Sequence, residues 1–340
     1  DYQSVRAAID EARASDKPSF VALETTIGYG AAGKEGSPEV HGAPLGSEEM
    51  SATRKRLGWP YPPFETPEEG VALWRSFAER NVSAIREWNE ARGVLGREER
   101  DELDRRARGD LRPGALAALD DRKRKFAEGS KPMPTRKATP QIVDALAPHA
   151  PELVGGSADL GQSNGSLGST MTGIFPENGY TGNYVHYGIR EHFLGAALNG
   201  FAVYGSFKAY GSTYLVFSDY MRPAIRLAAL MGVPTIFLYS HDSIGVGPDG
   251  PTHQPVEHLA SLRSIPGLKV YRPADAVEAT ECWQLALTER TCPSVIVTSR
   301  QQSDPVRRTH TDENLCERGG YPVARGDSDQ VILFSSGSDV

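Results

Sequence analysis

The stretch HDSIGVGPDGPTHQPVEH, residues 241–258, places three histidines and two aspartates among glycines and prolines. Histidine titrates near neutral pH, so these residues can move protons to and from hydroxyl groups. The spacing of His241, His253 and His258 matches neither a helical zinc pair nor a zinc finger. The pattern therefore favours proton transfer or substrate binding over a protein-held metal. A structural role for the histidines in a tight polar loop stays open.

Two arginines elsewhere in the chain could bind an anion beside this stretch. The run GPDGP predicts a tight turn with Asp249 at its centre. Arg136 and Arg300 can each hold a phosphate through paired hydrogen bonds. Residue types alone thus indicate a site for a phosphorylated polyol, without naming the reaction.

A carboxylate and three aromatic residues form a second candidate set. Glu191 opens an apolar helical pattern, a position where a carboxylate commonly just stabilises the helix N terminus. Tyr214, Phe217 and Tyr220 lie three apart, which predicts an aromatic stripe on one helical face. Such a stripe is more often core than a cofactor platform, so both interpretations stay open.

An alternation of strands and helices must position these residues. Short, mostly apolar runs predict strands near residue 152, at 235–240, near 268 and at 294–299, with helical patterns between them. The alternation predicts an α/β fold with a doubly wound, mainly parallel sheet and helices on both faces.

Ligands bind beyond the carboxyl ends of the strands in such sheets. Asp159, His241 and Arg300 each follow a predicted strand. We therefore expect a site at that edge of the sheet.

The rest of the chain predicts flanking elements. An opening helix leads into residues 18–30, which predict a strand that runs into a glycine-rich loop. Thr66 and Pro67 predict the start of helical sequence that continues to about Ala107. Charge, glycine and proline at 109–135 predict a surface linker, with the basic run around Lys123 on a solvated helix or linker. Thr139 is expected to cap the next helix, and an apolar run near residue 331 to form a further strand.

Composition limits the class of protein. The chain has 340 residues, 39% of them hydrophobic, and a formal net charge of −7, which favours about two globular domains and gives no electrostatic footprint for nucleic acid. No apolar run approaches the roughly 20 residues that cross a membrane. The odd number of cysteines and the absence of a CxxC spacing predict neither a disulfide framework nor a zinc site, and a cytoplasmic location is expected.

Five motifs resemble those of the transketolase family, in the right order along nearly the whole chain. They are VHGAPLG at 40–46, GGSADLGQSN at 155–164, NYVHYGIRE at 183–191, the stretch at 241–258 and TSRQ at 298–301. The resemblance implies a homodimeric thiamine diphosphate enzyme with its active site at the interface. Such an enzyme moves a two-carbon ketol unit from a ketose phosphate, such as xylulose 5-phosphate, to an aldose phosphate, such as ribose 5-phosphate or erythrose 4-phosphate. The unit is carried through a carbanion and an enamine on the cofactor.

The resemblance also implies cofactor contacts. Glu191 would contact N1′ of the aminopyrimidine and favour the imino tautomer that removes the thiazolium C2 proton. Phe217 would stack on the pyrimidine with Tyr214 and Tyr220 beside it, although phenylalanine is common in the family where Tyr214 stands. Asp159 would support the network on the cofactor side.

On the substrate side, the resemblance implies both phosphate and hydroxyl contacts. His41 and His253 would act on hydroxyl groups and transfer protons at the reacting carbons, and Asp249 would bind a substrate hydroxyl. The implied phosphate contacts are Arg136, Ser163, His241 and Arg300.

One family motif is missing from these residues. The family holds the diphosphate and its divalent metal, Mg²⁺ or Ca²⁺, with a GDG motif and a later asparagine, and no GDG occurs here. The metal ligands are therefore expected outside this chain, which would be an interior part of a transketolase. The expected domains are the C-terminal part of the diphosphate-binding domain (1–108), a linker (109–135), the pyrimidine-binding domain (136–310), and a connection with the first strand of a third domain (311–340).

Two alternatives stay open. 1-Deoxyxylulose-5-phosphate synthase, another thiamine diphosphate enzyme, also has a DGPTH loop, but VHGAPLG, QPVEH and the phosphate-contact set favour transketolase. A non-catalytic or half-enzyme module that needs a partner chain would account for the missing motif.

Overall fold

A computed structural model describes residues 1–326 and 330–340, which form two compact units, residues 1–94 and 95–340. None of the described helices is long and apolar enough to cross a membrane. The α-helices are α1 (Tyr2–Ala14), α2 (Ser47–Arg56), α3 (Glu68–Gly93), α4 (Arg97–Ala107), α5 (Pro113–Glu128), α6 (Ala138–Leu146), α7 (Glu191–Tyr204), α8 (Ser218–Met231), α9 (His258–Arg263) and α10 (Ala276–Thr288). The strands are β1 (Leu153–Ser157), β2 (Tyr184–His186), β3 (Lys208–Tyr214), β4 (Ile236–Ser240), β5 (Lys269–Tyr271) and β6 (Ser294–Thr298).

The N-terminal unit consists of helices and loops. The predicted opening helix is confirmed, and the Asp1 carboxylate caps it by accepting a hydrogen bond from the Gln3 N–H at 3.0 Å. The strand predicted at 18–30 is wrong, because those residues pair with no neighbouring strand and Phe20 is 93% exposed. Without such a neighbour, a strand leaves its backbone donors and acceptors to water.

The helical sequence predicted from Pro67 to about Ala107 is interrupted. The helix α3 begins one residue later than predicted, without a side-chain cap from Thr66, and ends at Gly93 before α4 starts. The boundary between the compact units also falls here. A guanidinium of α4, Arg105, pairs with Glu152 at 2.8 Å and thereby attaches α4 to the second unit.

The second unit contains one six-stranded sheet in the order β2-β1-β3-β4-β6-β5, and every neighbouring pair is parallel. The prediction of a parallel α/β sheet is confirmed, as are the strands β1, β4, β5 and β6. The strands β2 and β3 were not predicted. The residues of β3, KAYGSTY, are all buried but mostly polar or small, so they form no apolar run.

Alternate residues of the strands face two separate cores. Tyr210, Leu238 and Ile296 pack into the core formed with α5, α6 and α10. Their neighbours Phe237 and Val295 pack into the core formed with α7, α8 and α9. Because successive strand side chains point to opposite faces, helices cover both sides of the sheet, as predicted.

Two further predicted elements differ from the structure. Thr139 does not cap a helix: α6 begins at Ala138, and Thr139 lies buried inside it. The strand predicted near residue 331 is not formed, since residues 331–336 pair with no described strand and Phe334 is 92% exposed.

The segment predicted as a surface linker contains the packed helix α5. Its buried residues recur every four positions, the spacing of one helical face. The prediction was wrong because the charged residues of the exposed face outnumber this narrow stripe. The buried residues are Ala115, Leu119, Lys123 and Ala127.

The prediction of a solvated Lys123 is also wrong. Its side chain is 1% exposed, and Nζ lies 3.7 Å from Oε1 of Glu281, which is fully buried in α10. Nζ also donates to the carbonyl oxygens of Asp312 and Glu313 at 3.3 and 3.4 Å. Arg307 approaches the same carboxylate at 3.4 Å. This buried charge cluster ties α5 and α10 to the residues that follow the sheet.

We expect Lys123→Met to lower the free energy of unfolding by about 3 kcal/mol, because it leaves the buried Glu281 carboxylate with one of its two cations. Urea unfolding measures the change. Lys125→Met is the matched control, since Lys125 belongs to the same basic run but forms an exposed pair with Asp121. The control should change by less than about 0.5 kcal/mol, and equal losses in the two variants would contradict the buried cluster.

Candidate functional site

The carboxyl ends of β3, β4 and β6 bring several predicted site residues to one edge of the sheet. Tyr214 is the last residue of β3, His241 directly follows β4, and Arg300 lies just beyond β6. The strand order reverses direction between β1 and β3, which is where open α/β sheets form their ligand crevice. Ser163, in the loop after β1, bridges this point by accepting a hydrogen bond from the Tyr214 hydroxyl at 3.1 Å.

Five predicted residues form what we call the anion cluster: Arg136, Ser163, His241, Asp249 and Arg300. Nε of Arg300 lies 3.0 Å from Oδ2 of Asp249, and Nε2 of His241 lies 3.6 Å from the same oxygen. A guanidinium N–H of Arg136 donates to the carbonyl oxygen of Ser163. The structure thus brings together residues from three loops and from the 3₁₀ turn Thr135–Lys137.

The anion cluster carries more positive than negative charge. Burial and the nearby guanidinium of Arg300 both lower the pKa of Arg136, while Asp249 opposes this shift. Nε of Arg136 is buried and has no hydrogen-bond partner in the described part of the chain. The cluster has two guanidinium groups and one carboxylate, of which only Arg300 pairs with Asp249, so it is suited to a further anion. Paired N–H donors fit a phosphate.

His241 is neutral at pH 7 in this environment. Burial, and then the charge of Arg136, lower its pKa to about 4. Nδ1 lies 2.9 Å from the Ser240 hydroxyl, and the ring lies against Tyr214 with 3.8 Å between centroids. A neutral imidazole can hydrogen-bond a phosphate without adding charge. The backbone of His241 is left-handed, with φ of 63°, which costs an L-residue about 1–2 kcal/mol.

Gly165 lets the loop after β1 approach Arg136 closely. Its φ is +72°, and a Cβ atom there would lie 2.1 Å from the Arg136 carbonyl oxygen. Only glycine fits at this position. The sequence analysis did not single out Gly165, although it directly follows the GGSADLGQSN motif.

The aromatic residues form a stack, but the prediction that they share one helical face is wrong. Tyr214 ends β3, Phe217 ends a 3₁₀ turn, and Tyr220 lies in α8. The Tyr214 and Phe217 rings stack at 5.8 Å and 17°, and Phe217 lies 6.0 Å from Tyr220. A 3₁₀ turn repeats every three residues, so the spacing of three aligns these rings without a continuous α-helix.

The stretch at 241–258 folds back over this stack. The His253 ring lies edge-on to Tyr214 at 5.7 Å and to Phe217 at 5.4 Å. Nδ1 of His253 lies 2.8 Å from the Thr252 hydroxyl, which fixes one side of the imidazole. The other ring nitrogen is therefore the one available to a ligand.

Glu191 begins α7, as predicted, and its side chain is only 7% exposed. One carboxylate oxygen accepts a hydrogen bond from the Thr213 hydroxyl at 3.3 Å. Because this long hydrogen bond is its one side-chain hydrogen bond within residues 1–326 and 330–340, the carboxylate keeps acceptor capacity for a ligand N–H. Thr213 was missed because it lies in β3, the strand that the sequence analysis did not predict.

The two remaining predicted residues are Asp159 and His41. Asp159 follows β1, but its side chain is exposed and makes no hydrogen bond or ion pair with the described residues. His41 lies in the N-terminal unit, where it is exposed and its backbone N–H donates to the Pro38 carbonyl at 3.0 Å.

His258, which had no predicted role, begins α9 with Nε2 at 3.2 Å from the carboxylate of Asp219. Together with Glu257 they form the one group of three potential metal ligands in the described ranges. The group joins α8 to α9 and does not resemble the glycine-rich diphosphate motif of the family.

Comparisons with known proteins cover both units. The transketolase thiamine diphosphate binding domain model matches residues 1–112, and the transketolase pyrimidine binding domain model matches residues 131–305. The chain is 46% identical over 338 residues to a transketolase of Cereibacter sphaeroides, covering 99% of this chain and 51% of that protein. It is 46% identical over 346 residues to a transketolase of Sinorhizobium medicae, covering 100% of this chain and 49% of that protein.

Solved structures agree with the sequence relatives. A Pichia stipitis transketolase, crystallised with sedoheptulose 7-phosphate, superposes with a TM-score of 0.89 at 34% identity, covering 100% of this chain and 51% of that one. The Campylobacter jejuni transketolase gives 0.79 at 36% identity, with 89% and 46% covered. The chain therefore spans about half the length of the relatives it matches. Both domain models and these relatives show that the chain belongs to the transketolase family.

Proposed function

We propose that the protein carrying this sequence transfers a two-carbon ketol unit from a ketose phosphate to an aldose phosphate. The observation that carries the proposal is the position of the anion cluster, which adjoins the aromatic stack through Tyr214. A sugar phosphate bound there would have its phosphate at the arginines and its carbon chain beside His253. The sugar phosphate in the Pichia stipitis relative supports this substrate class.

The cofactor would lie against the aromatic stack. The buried carboxylate of Glu191 fits a protonated ring nitrogen, and the half-buried ring of Phe217 offers a face for a heterocycle. When bound, thiamine diphosphate supplies the carbon nucleophile that accepts the two-carbon unit. Glu191 would hold a proton at N1′ of the pyrimidine. Tyr214 and Tyr220 would exclude water on either side.

The anion cluster would orient the substrate. Arg136 and Arg300 would grip the phosphate, with Ser163 and neutral His241 adding hydrogen bonds that bring no net charge. Asp249 would fix the direction of the Arg300 guanidinium while binding a substrate hydroxyl with its other oxygen.

His253 would transfer protons at the reacting carbons through the ring nitrogen that Thr252 does not engage. The same role for His41 and the cofactor-side role for Asp159 remain predictions from the family resemblance. A homodimer, a divalent metal such as Mg²⁺ held by residues outside this chain, the expected domain boundaries and a cytoplasmic location also remain predictions.

The two alternatives to this function are 1-deoxyxylulose-5-phosphate synthesis and a half-enzyme module that needs a partner chain. Both matching domain models are transketolase models, which favours ketol transfer over 1-deoxyxylulose-5-phosphate synthesis. The half-enzyme alternative is tested by titrating thiamine diphosphate and Mg²⁺ into the chain by itself. Tight binding with full turnover would exclude a need for a partner chain.

We expect Arg300→Ala to raise KM for xylulose 5-phosphate about 100-fold, because a charged hydrogen-bonding group to the phosphate is lost. The kcat/KM for xylulose, which lacks the phosphate, should change little. Steady-state kinetics of both donors in the whole protein measure the split. Arg308→Ala is the matched control at an exposed arginine and should leave both donors unchanged. Equal losses for the two donors would contradict phosphate binding by Arg300.

We expect Glu191→Gln to lower turnover by at least about 100-fold, since glutamine keeps the shape of the side chain but cannot share a proton with N1′. Pre-steady-state and steady-state assays with saturating thiamine diphosphate measure it. Glu177→Gln, at an exposed carboxylate, is the control. Near-normal turnover of Glu191→Gln would show that Glu191 only stabilises the start of α7.

A further inference from the structure

A buried hydrogen-bond network adjoins the anion cluster and is centred on Asp242, the residue after His241. Asp242 is 2% exposed, and its Oδ2 accepts hydrogen bonds from Nε and Nη2 of Arg272 at 3.0 and 2.8 Å. The Ser338 hydroxyl donates to the same oxygen at 2.8 Å. The Gln301 amide lies 3.4 Å from the other carboxylate oxygen. We call these four residues, Asp242, Arg272, Gln301 and Ser338, the clamp.

Ser338 of the clamp belongs to residues 336–339, a segment that is distant in sequence from the other three residues. Nη1 of Arg272 donates to the Ser336 carbonyl at 2.9 Å and to the Asp339 carboxylate at 2.5 Å. Gly337 packs on the stem of the same arginine: its φ is +61°, and a Cβ there would lie 2.5 Å from Cγ of Arg272. The segment therefore fits closely around one buried side chain.

The same segment also reaches the second loop of the anion cluster. Gln301 directly follows Arg300, and its amide donates to the hydroxyls of Ser338 at 2.7 Å and Ser243 at 2.9 Å. The loop after β4 and the loop after β6 are thus joined to each other and to residues 336–339.

The backbone of His241 needs such support. Its left-handed φ of 63° is a strained conformation that persists only where the surrounding structure fixes it. On one side, Ser240 is held by the sheet, where it pairs with Thr298. On the other side, the Asp242 carboxylate is held by the other three clamp residues.

We propose that the clamp positions His241 and Arg300 for the donor phosphate, so that residues 336–339 set the preference for phosphorylated donors. The clamp residues are positioning residues: they contact the two loops and not the substrate. This inference rests on the proposed function, because it assigns a phosphate to the anion cluster.

Ser338→Ala and Gln301→Ala test the inference in the whole protein, supplied with thiamine diphosphate and Mg²⁺. We expect the ratio of kcat/KM for xylulose 5-phosphate to that for xylulose to fall about tenfold, through KM of the phosphorylated donor, because each variant loosens both loops. The kcat should stay within about twofold. Ser169→Ala, which removes an exposed hydroxyl bonded to Asp144, is the matched control and should leave the ratio unchanged.

Hydrogen–deuterium exchange gives a second readout that does not depend on turnover. Amides of residues 241–249 should exchange faster in Ser338→Ala than in Ser169→Ala. A purely structural role would lower the melting temperature and affect both donors equally, and that result would overturn the inference.

Arg300→Ala separates failure of the inference from failure of the proposed function. If Arg300→Ala abolishes the preference for the phosphorylated donor while both clamp variants keep it, the clamp inference is wrong and the proposed function stands. If Arg300→Ala keeps the preference, the donor phosphate is not bound at Arg300, and the clamp inference fails together with the phosphate assignment on which it rests.

Discussion

The parallel pairing of β4 with β6 is the constraint on which the candidate site depends. The pairing sets Ser240 opposite Thr298, so the residues that follow each strand emerge side by side at the carboxyl edge. Only a parallel sheet brings these loops to the same edge, and only helices on both faces bury such a sheet. The ion pair between Arg300 and Asp249 then joins the loop after β6 to the loop after β4. Backbone hydrogen bonds thus place the loops that carry His241 and Arg300, and side-chain contacts complete the anion cluster.

Charge and burial then decide what the edge can bind. The site has two arginines and one carboxylate, and burial, followed by the charge of Arg136, lowers the pKa of His241 to about 4 and keeps it neutral. The result is a site where two guanidinium groups favour an anion and the neutral imidazole adds a hydrogen-bonding group without charge. The neighbouring aromatic stack is largely apolar, unlike the anion cluster, and the buried Glu191 carboxylate offers a hydrogen-bond acceptor. The proposed sugar phosphate and heterocyclic cofactor would need these two environments next to each other.

The sequence predicted the parts of this arrangement that have a local pattern. Strands buried on both faces read as apolar runs, so β4 and β6 were found, and the polar loops after them led to His241 and Arg300. The strand β3 was missed because its buried residues are lysine, glycine, serine, threonine and tyrosine, and with it the contact of Thr213 with Glu191 was missed. The burial of Lys123 was not predicted, because the residues beside it in the sequence are charged and indicate an exposed helix face. No local pattern could show that Asp242 meets Ser338, because that contact joins residues far apart in the chain.

A crystal structure of the whole protein with xylulose 5-phosphate and thiamine diphosphate tests the central claim most directly. We predict the donor phosphate within hydrogen-bonding distance of the Arg136 and Arg300 guanidinium groups and of the neutral His241 ring, with the pyrimidine on Phe217. A phosphate bound away from both arginines, with the anion cluster filled only by water, would contradict the account.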